Sequence, residues 1–592
     1  MACAAFLDEL LDDLRDSPTA PWWAYSDVTP GGVIGLAGGS VGVGGGAVTE
    51  IMNLPQLCEA IEEELGLPSG YLQPGTESFP GSYVEGCACT DCGMEPGAPG
   101  LDAFDNIGLG NAVSPHEIYN PQQLADLAEA QPAWSRSFIQ CTDIDLEPYY
   151  ASGGDEFSIA TGEEPFSGVY DGGERAIDGF TTQTRGGLFS GLAGTVQGLS
   201  LRDAVVAADG DHGGLANAAD GASISNVRVV APYFGALSGN EVGGVVGSLT
   251  DSSLSNVDVE SPVFDDYGYS ARVGGIAARM RGSTVSNVVV SDLDVEAPAA
   301  RAGGLFYESR ESDVSDGWVD GGLIIVNAGG GAAAIIRAST FANVEASADV
   351  RAYTAGGFAY GLQQWNEDDA STISDCLAEG DVSPRDGMNG FPGGDKGGFF
   401  GWVQGGTILR SASTGDVSFL TSIDSSYQSS MGGFVGTLYP AHEIAIEDAF
   451  ALGNVNRALG STGDDNVGGF AGTITGLGGP TENLAIARSF AAGNVEGVTT
   501  GSFVGAVDVD NATITESFAL GHHTGDGGCF VGGGTINDDG NNHVADTPCN
   551  CTLEPGVSAA PISDFDQPNE NLGFAWSTDV WAFEDGALPS LQ

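Results

Sequence analysis

Over its 592 residues the chain carries 81 acidic side chains against 18 basic ones, a formal net charge of −63, and Lys396 is the single lysine among the basic residues. That balance disfavours binding to DNA or to an anionic membrane, since both would repel it. The acids are spread along the chain rather than gathered in a tail, a pattern suited to molar salt, where a Debye length of about 3 Å screens self-repulsion while carboxylates hold water.

Residues 1–112 do not repeat and read as a small mixed module for attachment and oligomerisation. Residues 1–15 place Phe6, Leu7, Leu10, Leu11 and Leu14 at helical spacing, with an acidic start and neither a twin arginine nor an apolar core of signal length. An amphipathic helix is predicted there, and no export signal. Residues 29–48 hold no charge, but glycines such as Gly31, Gly32, Gly38, Gly39, Gly44, Gly45 and Gly46 make a poor membrane helix. Extended backbone against partner subunits is expected there, with no membrane insertion. A second short helix over 54–65 presents Leu57, Cys58, Ile61 and Leu65 on one face. Cys87, Cys89 and Cys92 follow in a C-x-C-x-x-C cluster, which with Cys58 supplies four thiolates for a structural zinc or, alternatively, pairs as disulfides.

Residues 113–185 read as a lead-in cap, a short helix and strands covering an otherwise open sheet edge. Asp143 and Asp145 alternate along one of these strands, a weak calcium pattern in a chain this acidic. From 186 to 545 one phrase keeps returning: two glycines, an apolar pair, a third glycine, then a small polar and aliphatic run. It reads Gly243-Gly244-Val245-Val246-Gly247 with Ser253-Leu254-Ser255-Asn256-Val257, and later Gly432-Gly433-Phe434-Val435-Gly436 and Gly468-Gly469-Phe470-Ala471-Gly472. Copies start at Gly186, Gly213, Gly243, Gly274, Gly303, Gly330, Gly356, Gly397, Gly432, Gly468 and Gly501. Such a period signals a solenoid. Glycines and β-branched residues disfavour helix and suit short strands and tight turns. The fold class is therefore all-β, a parallel β-solenoid of about 11 Gly-rich coils. Its glycines are expected at corners that need positive φ or close backbone approach.

Within the coils, Trp365, Tyr427, Tyr439 and His442 sit on insertions, where solenoids build recognition faces, and are the candidate ligand contacts. Cys376 and Cys141 fall where neighbouring repeats place core residues, so burial is expected. Cys529, Cys549 and Cys551 lie near His522, His523 and His543. A disulfide fastening the final coil or a metal site are the alternatives there. Residues 546–592 read as a C-terminal cap.

The repeated phrase resembles the GLUG-motif repeat, a glycine-rich unit of large surface and adhesin-like proteins. The likeness extends to the lead-in, Ile118-Tyr119-Asn120-Pro121, Asp143-Ile144-Asp145-Leu146 and Pro165-Phe166-Ser167-Gly168, and to the ending, Trp576-Ser577-Thr578-Asp579-Val580-Trp581 with Asp585-Gly586-Ala587-Leu588-Pro589. It covers residues 113–592 and implies architecture and surface exposure, with no catalytic residues to carry over. Acidity, repeat and missing export signal together predict a non-enzymatic virion surface protein, a spike, turret or tail fibre, from a halophilic archaeal virus assembled in the host cytoplasm. Residues 1–112 would bind capsid or tail proteins, and the solenoid, as a homo-oligomer, would meet a host surface layer or glycan. A cellular haloarchaeal adhesin and a polysaccharide-degrading enzyme are the alternatives.

Overall fold

The computed structural model describes residues 72–74, 87–89 and 115–592, apart from 163, 184–185, 208–209, 236–240, 266–270, 386–393, 420–428, 458–464, 477–482, 539–540, 546–552, 554, 556, 573 and 585–586. The chain from 169 onward winds as the parallel β-solenoid read from its repeat. A typical coil runs through Glu241–Gly243, Val246–Thr250, Ser253–Glu260 and Val263–Asp265. Each strand pairs in parallel with its counterparts in the coils before and after it. The strands equivalent to Val246–Thr250 form one sheet of twelve, from Phe189–Leu192 to Val531–Gly533. That is one more than the sequence count. The additional copy is Gly528-Cys529-Phe530-Val531-Gly532, where a cysteine replaces the second glycine of other copies.

Parallel pairing in constant register stacks each side chain on its equivalent one coil away. Ile224, Leu254, Val285, Val314, Phe341, Ile373, Ile408, Ile446, Ile486 and Ile514 form one such row, all essentially buried. Phe358, Phe399, Phe434, Phe470, Phe503 and Phe530 form another, with successive ring centroids 4.6–4.8 Å apart and planes within 15° of parallel. The spacing matches the strand separation of a β-sheet, so the rings stack because the backbone sets them there.

The glycine pairs of the repeat and its left-handed corners are different positions in most coils, although Gly187 of the first pair has φ of 64°. Gly244 and Gly275 belong to the close-approach class: a Cβ on Gly244 would lie 2.0 Å from the Gly275 carbonyl oxygen, and one on Gly275 2.1 Å from that of Gly304. One row of left-handed corners runs through Gly198, Asn226, Asn256, Asn287, Asp316, Asn343, Asp375, Arg410, Asp448, Arg488 and Glu516, at φ of 44–59°. The corner residue breaks strand alternation, so that Leu254 and Val257, three apart, both face the core. A left-handed non-glycine residue costs about 1–2 kcal/mol, and here cross-coil bonds offset it. The Asn256 amide donates to Asn226 Oδ1 at 3.0 Å and that of Asn287 to Asn256 Oδ1 at 2.7 Å. In later coils the row alternates in charge, with Arg410 forked onto Asp375 at 2.6 and 2.7 Å and Arg488 onto Asp448 at 2.8 and 3.0 Å.

Two further rows satisfy corner backbone groups that no strand can pair. The Oγ atoms of Ser252, Ser283, Ser312, Ser339 and Ser371 each accept an N–H from the preceding coil. The side chains of Asp349, Asp381, Asp416, Asn454 and Asn494 each accept one from the following coil.

At the amino-terminal end, helix Pro121–Glu129 begins at Asn120, whose side chain accepts the Gln123 N–H, and buries Leu124 and Leu127. The strands His116–Ile118 and Ser137–Gln140 continue in parallel onto Val169–Asp178. Asp143 and Asp145 accept the backbone N–H groups of Ala176 and Glu147, a turn-holding role. Cys141, expected to be buried, is half-buried and disulfide-bonded, whereas Cys376 is a free, buried core thiol. The carboxy-terminal segment folds back along the flank: Trp576 and Trp581 pack beside Phe490, and their indole N–H groups reach the Glu516 carbonyl at 3.1 Å and Asp448 Oδ1 at 2.9 Å.

Because Phe434 stacks on a ring from each neighbouring coil, Phe434→Ala is expected to cost about 3–5 kcal/mol, and Phe434→Leu distinctly less. Denaturant midpoints measured in molar salt by circular dichroism check this; equal midpoints for the two variants would contradict it.

Candidate ligand-binding cleft

On the outer side of the twelve-stranded sheet, three neighbouring strands, Ala277–Arg281, Phe306–Arg310 and Ala333–Arg337, end in arginine. Their register sets Arg281 against Arg310 and Arg310 against Arg337. Like charges on adjacent strands destabilise a sheet, and the fold does not require them, since Thr250 occupies the same row one coil earlier. With Arg272, Arg279, Tyr307 and Glu308 these arginines line a cleft of about 420 Å³. Five of the chain's 18 basic residues therefore gather at one place on a strongly acidic molecule.

Carboxylates below the row fix the guanidinium groups. Glu241, nearly buried, receives Arg272 and Arg279, each at 2.8 Å. Burial pushes its carboxyl above the usual range and the two arginines pull it back. Glu308 is shared by Arg279 at 3.5 Å and Arg337, and Glu311 lies 3.4 Å from Arg281 and 3.1 Å from Arg310. The Gln363 side-chain oxygen accepts the Arg337 Nε–H at 2.6 Å. Burial draws the Arg337 guanidinium below its ordinary value, Glu308 opposes this, and the nearby Arg310 and Arg279 add to the lowering.

Aromatic rings bracket the row. The Arg337 guanidinium lies 4.3 Å from the Trp365 ring centroid and that of Arg310 5.4 Å, while Arg272 lies 5.5 Å from Tyr307. Trp365 remains 51 % exposed. The cleft thus combines an indole surface open to solvent with a fixed row of planar donors, an arrangement suited to an anion attached to a flat or C–H-rich body.

Of the candidate contacts read from sequence, Trp365 lies at this cleft. Tyr439 is half-buried and donates its hydroxyl to Asp395 Oδ2 at 3.2 Å, and His442 is half-buried beside Gly405. Tyr427 lies outside the described residues. So do Cys58, Cys92, Cys549 and Cys551, while Cys87 and Cys89 fall in Cys87–Cys89, a strand antiparallel to Leu72–Pro74. Cys529 is disulfide-bonded. His523 bonds Ser502 Oγ at 3.0 Å through Nδ1, and among the described residues no group of three or more His, Cys, Asp or Glu side chains is placed to hold a metal ion. The arginine row was missed from sequence, although its signal is present: Arg281-Gly282-Ser283, Arg310-Glu311-Ser312 and Arg337-Ala338-Ser339 recur at the coil period.

A second charged group is internal. Lys396 stands in register with Ala355 and Met431, at a core position, and its ammonium donates to the Tyr353 carbonyl at 2.7 Å. Burial lowers this amine to about 8, with Asp395 and Asp465 working against the shift. Between that pH and the ordinary lysine value the unfolded chain holds a proton the folded chain has released, so this group makes stability rise with pH across the window, and its charge is costly below it.

Comparison with known proteins assigns no family. No family model matches the chain, and no curated protein does. A solved structure described as a "putative immunoglobulin A1 protease" from Bacteroides ovatus is similar over 82 % of this chain and 94 % of that one, at 16 % identity and a TM-score of 0.20.

Since Lys396 is fully buried, an amine-reactive ester at about pH 8 is expected to leave its side chain unmodified in the folded protein and to modify it after denaturation. Peptide mass spectrometry reads this directly, and rapid labelling of Lys396 in the folded chain would contradict its placement.

Proposed function

We propose that the protein is a non-enzymatic attachment element, a spike, turret or tail fibre on the particle of a halophilic archaeal virus. Residues 1–112 anchor it to capsid or tail proteins, and the solenoid, repeated in a homo-oligomer, carries the contact to the host surface. The observation that carries this reading is the arginine row beside exposed Trp365 on the flank of a strongly acidic solenoid. A solenoid with arginines concentrated on one flank suits display of a binding surface, and several copies per particle raise weak contacts to useful avidity. Many acids along the rod accept backbone N–H groups while their remaining oxygens stay available to water, which fits operation in molar salt.

Two measurements test the reading. Full-length protein in molar salt is expected to bind intact haloarchaeal cells saturably and to block adsorption of infecting particles; absence of binding to every susceptible host would contradict attachment. Dilution into low-salt buffer is expected to abolish the β-sheet circular dichroism as screening is lost. Full retention of that signal would contradict the halophilic part of the account.

A further inference from the structure

We infer that the arginine cleft binds an acidic sugar, one whose ring carries a carboxylate or a sulfate, with the oxyanion on Arg281 and Arg310 and the ring against Trp365. The biological setting of this inference rests on the attachment reading above; the site itself rests on the geometry of the cleft.

Three observations converge on this ligand class. The first is the row itself, in which arginines repeat on neighbouring strands although the preceding coil places Thr250 there. A sheet gains nothing from stacked like charges. A planar guanidinium, however, meets a carboxylate or sulfate through two parallel N–H bonds. The second is that the donors stay accessible after the internal ion pairs are made: the side chains of Arg281 and Arg310 are 56 % and 35 % exposed. The third is Trp365, held by Arg337 near its ring yet half open to solvent. The C–H face of a sugar packs on such an indole. The cleft, at about 420 Å³, lies within the usual range for small-molecule sites.

Salt sharpens the argument. With a screening length near 3 Å at molar ionic strength, long-range steering is lost and only groups in contact attract each other. Recognition under those conditions has to come from direct guanidinium–oxyanion contact and from stacking, the two elements present here. A neutral sugar offers the exposed guanidinium groups no oxyanion.

The test uses the full-length protein in molar salt, titrated calorimetrically with a uronic-acid oligosaccharide, a sulfated oligosaccharide and a neutral oligosaccharide of equal length. At least one acidic ligand is expected to saturate and the neutral one to show no heat; which acidic ligand saturates identifies the charged group. Trp365→Ala and Arg310→Gln are each expected to weaken binding about tenfold, with unchanged circular dichroism. Arg281→Gln, the most exposed change, serves as the second variant should either of these fail to fold. Failure of both acidic ligands to saturate, equal binding of the neutral one, or unaltered affinity in the folded variants would overturn the inference. Cell adsorption separates it from the attachment reading. If wild type and Trp365→Ala adsorb to cells equally, the cleft is not the contact and attachment stands. If cells are not bound while an acidic sugar titrates, attachment falls and the site stands.

Discussion

The solenoid depends on one constraint: parallel strands, in register apart from a few bulges, place each strand residue on its equivalent, one sheet spacing of about 4.8 Å away. Stacking of like on like is favourable for some side chains and not for others. Aliphatic and phenylalanine residues gain from it, so the core becomes continuous rows, of which the ring stack from Phe358 to Phe530 is one. Asparagine gains too, because its amide both donates and accepts, and the corner row of Asn226, Asn256 and Asn287 is bonded in series. Charged residues gain only through a bond between coils: in the corner row they alternate, as in Asp375, Arg410, Asp448 and Arg488, and Asp349, Asp381 and Asp416 stack by accepting the next coil's backbone N–H. The three arginines that meet in register on the twelve-stranded sheet are donors only and cannot bond one another, which is why they stand out as a site.

The same constraint explains the composition. Coils approach closely enough that the glycine pair has no room for a Cβ, and the cost of corners is carried instead by polar residues whose side chains bond across coils. Part of the acidic excess is therefore structural: Asp349, Asp381 and Asp416 cap backbone N–H groups of the following coil. A substitution that preserves charge but not reach, such as glutamate at these corners, would change the hydrogen-bond length that the coil spacing demands.

The architecture was legible in the sequence because the period of the glycine phrase equals the length of a coil, so that reading the repeat is reading the register. The corner residues carry no mark of a corner in the sequence: Asn256 stands within the Ser253-Leu254-Ser255-Asn256-Val257 run, and its φ of 54° separates it from its neighbours. The twelfth coil escaped because Cys529 replaces the second glycine of the pair that marks the others. Tyr439 lies on an insertion, where a solvent-facing aromatic is the natural expectation, yet its hydroxyl turns inward to Asp395, a partner supplied by a distant part of the chain. Trp365 was identifiable as an insertion residue, but the arginines that give it chemical meaning become a row only when the R-x-S triplets at 281, 310 and 337 are aligned by coil.

The inferred sugar site depends on whether that row holds an anion. Crystals grown in molar bromide instead of chloride would answer this, since bromide scatters anomalously and is counted atom by atom. The account predicts an ordered bromide in contact with Arg281 and Arg310 at higher occupancy than elsewhere on the solenoid. A cleft in which carboxylates such as Glu311 occupy every guanidinium, with no bromide present, would contradict the claim that the row is a binding site.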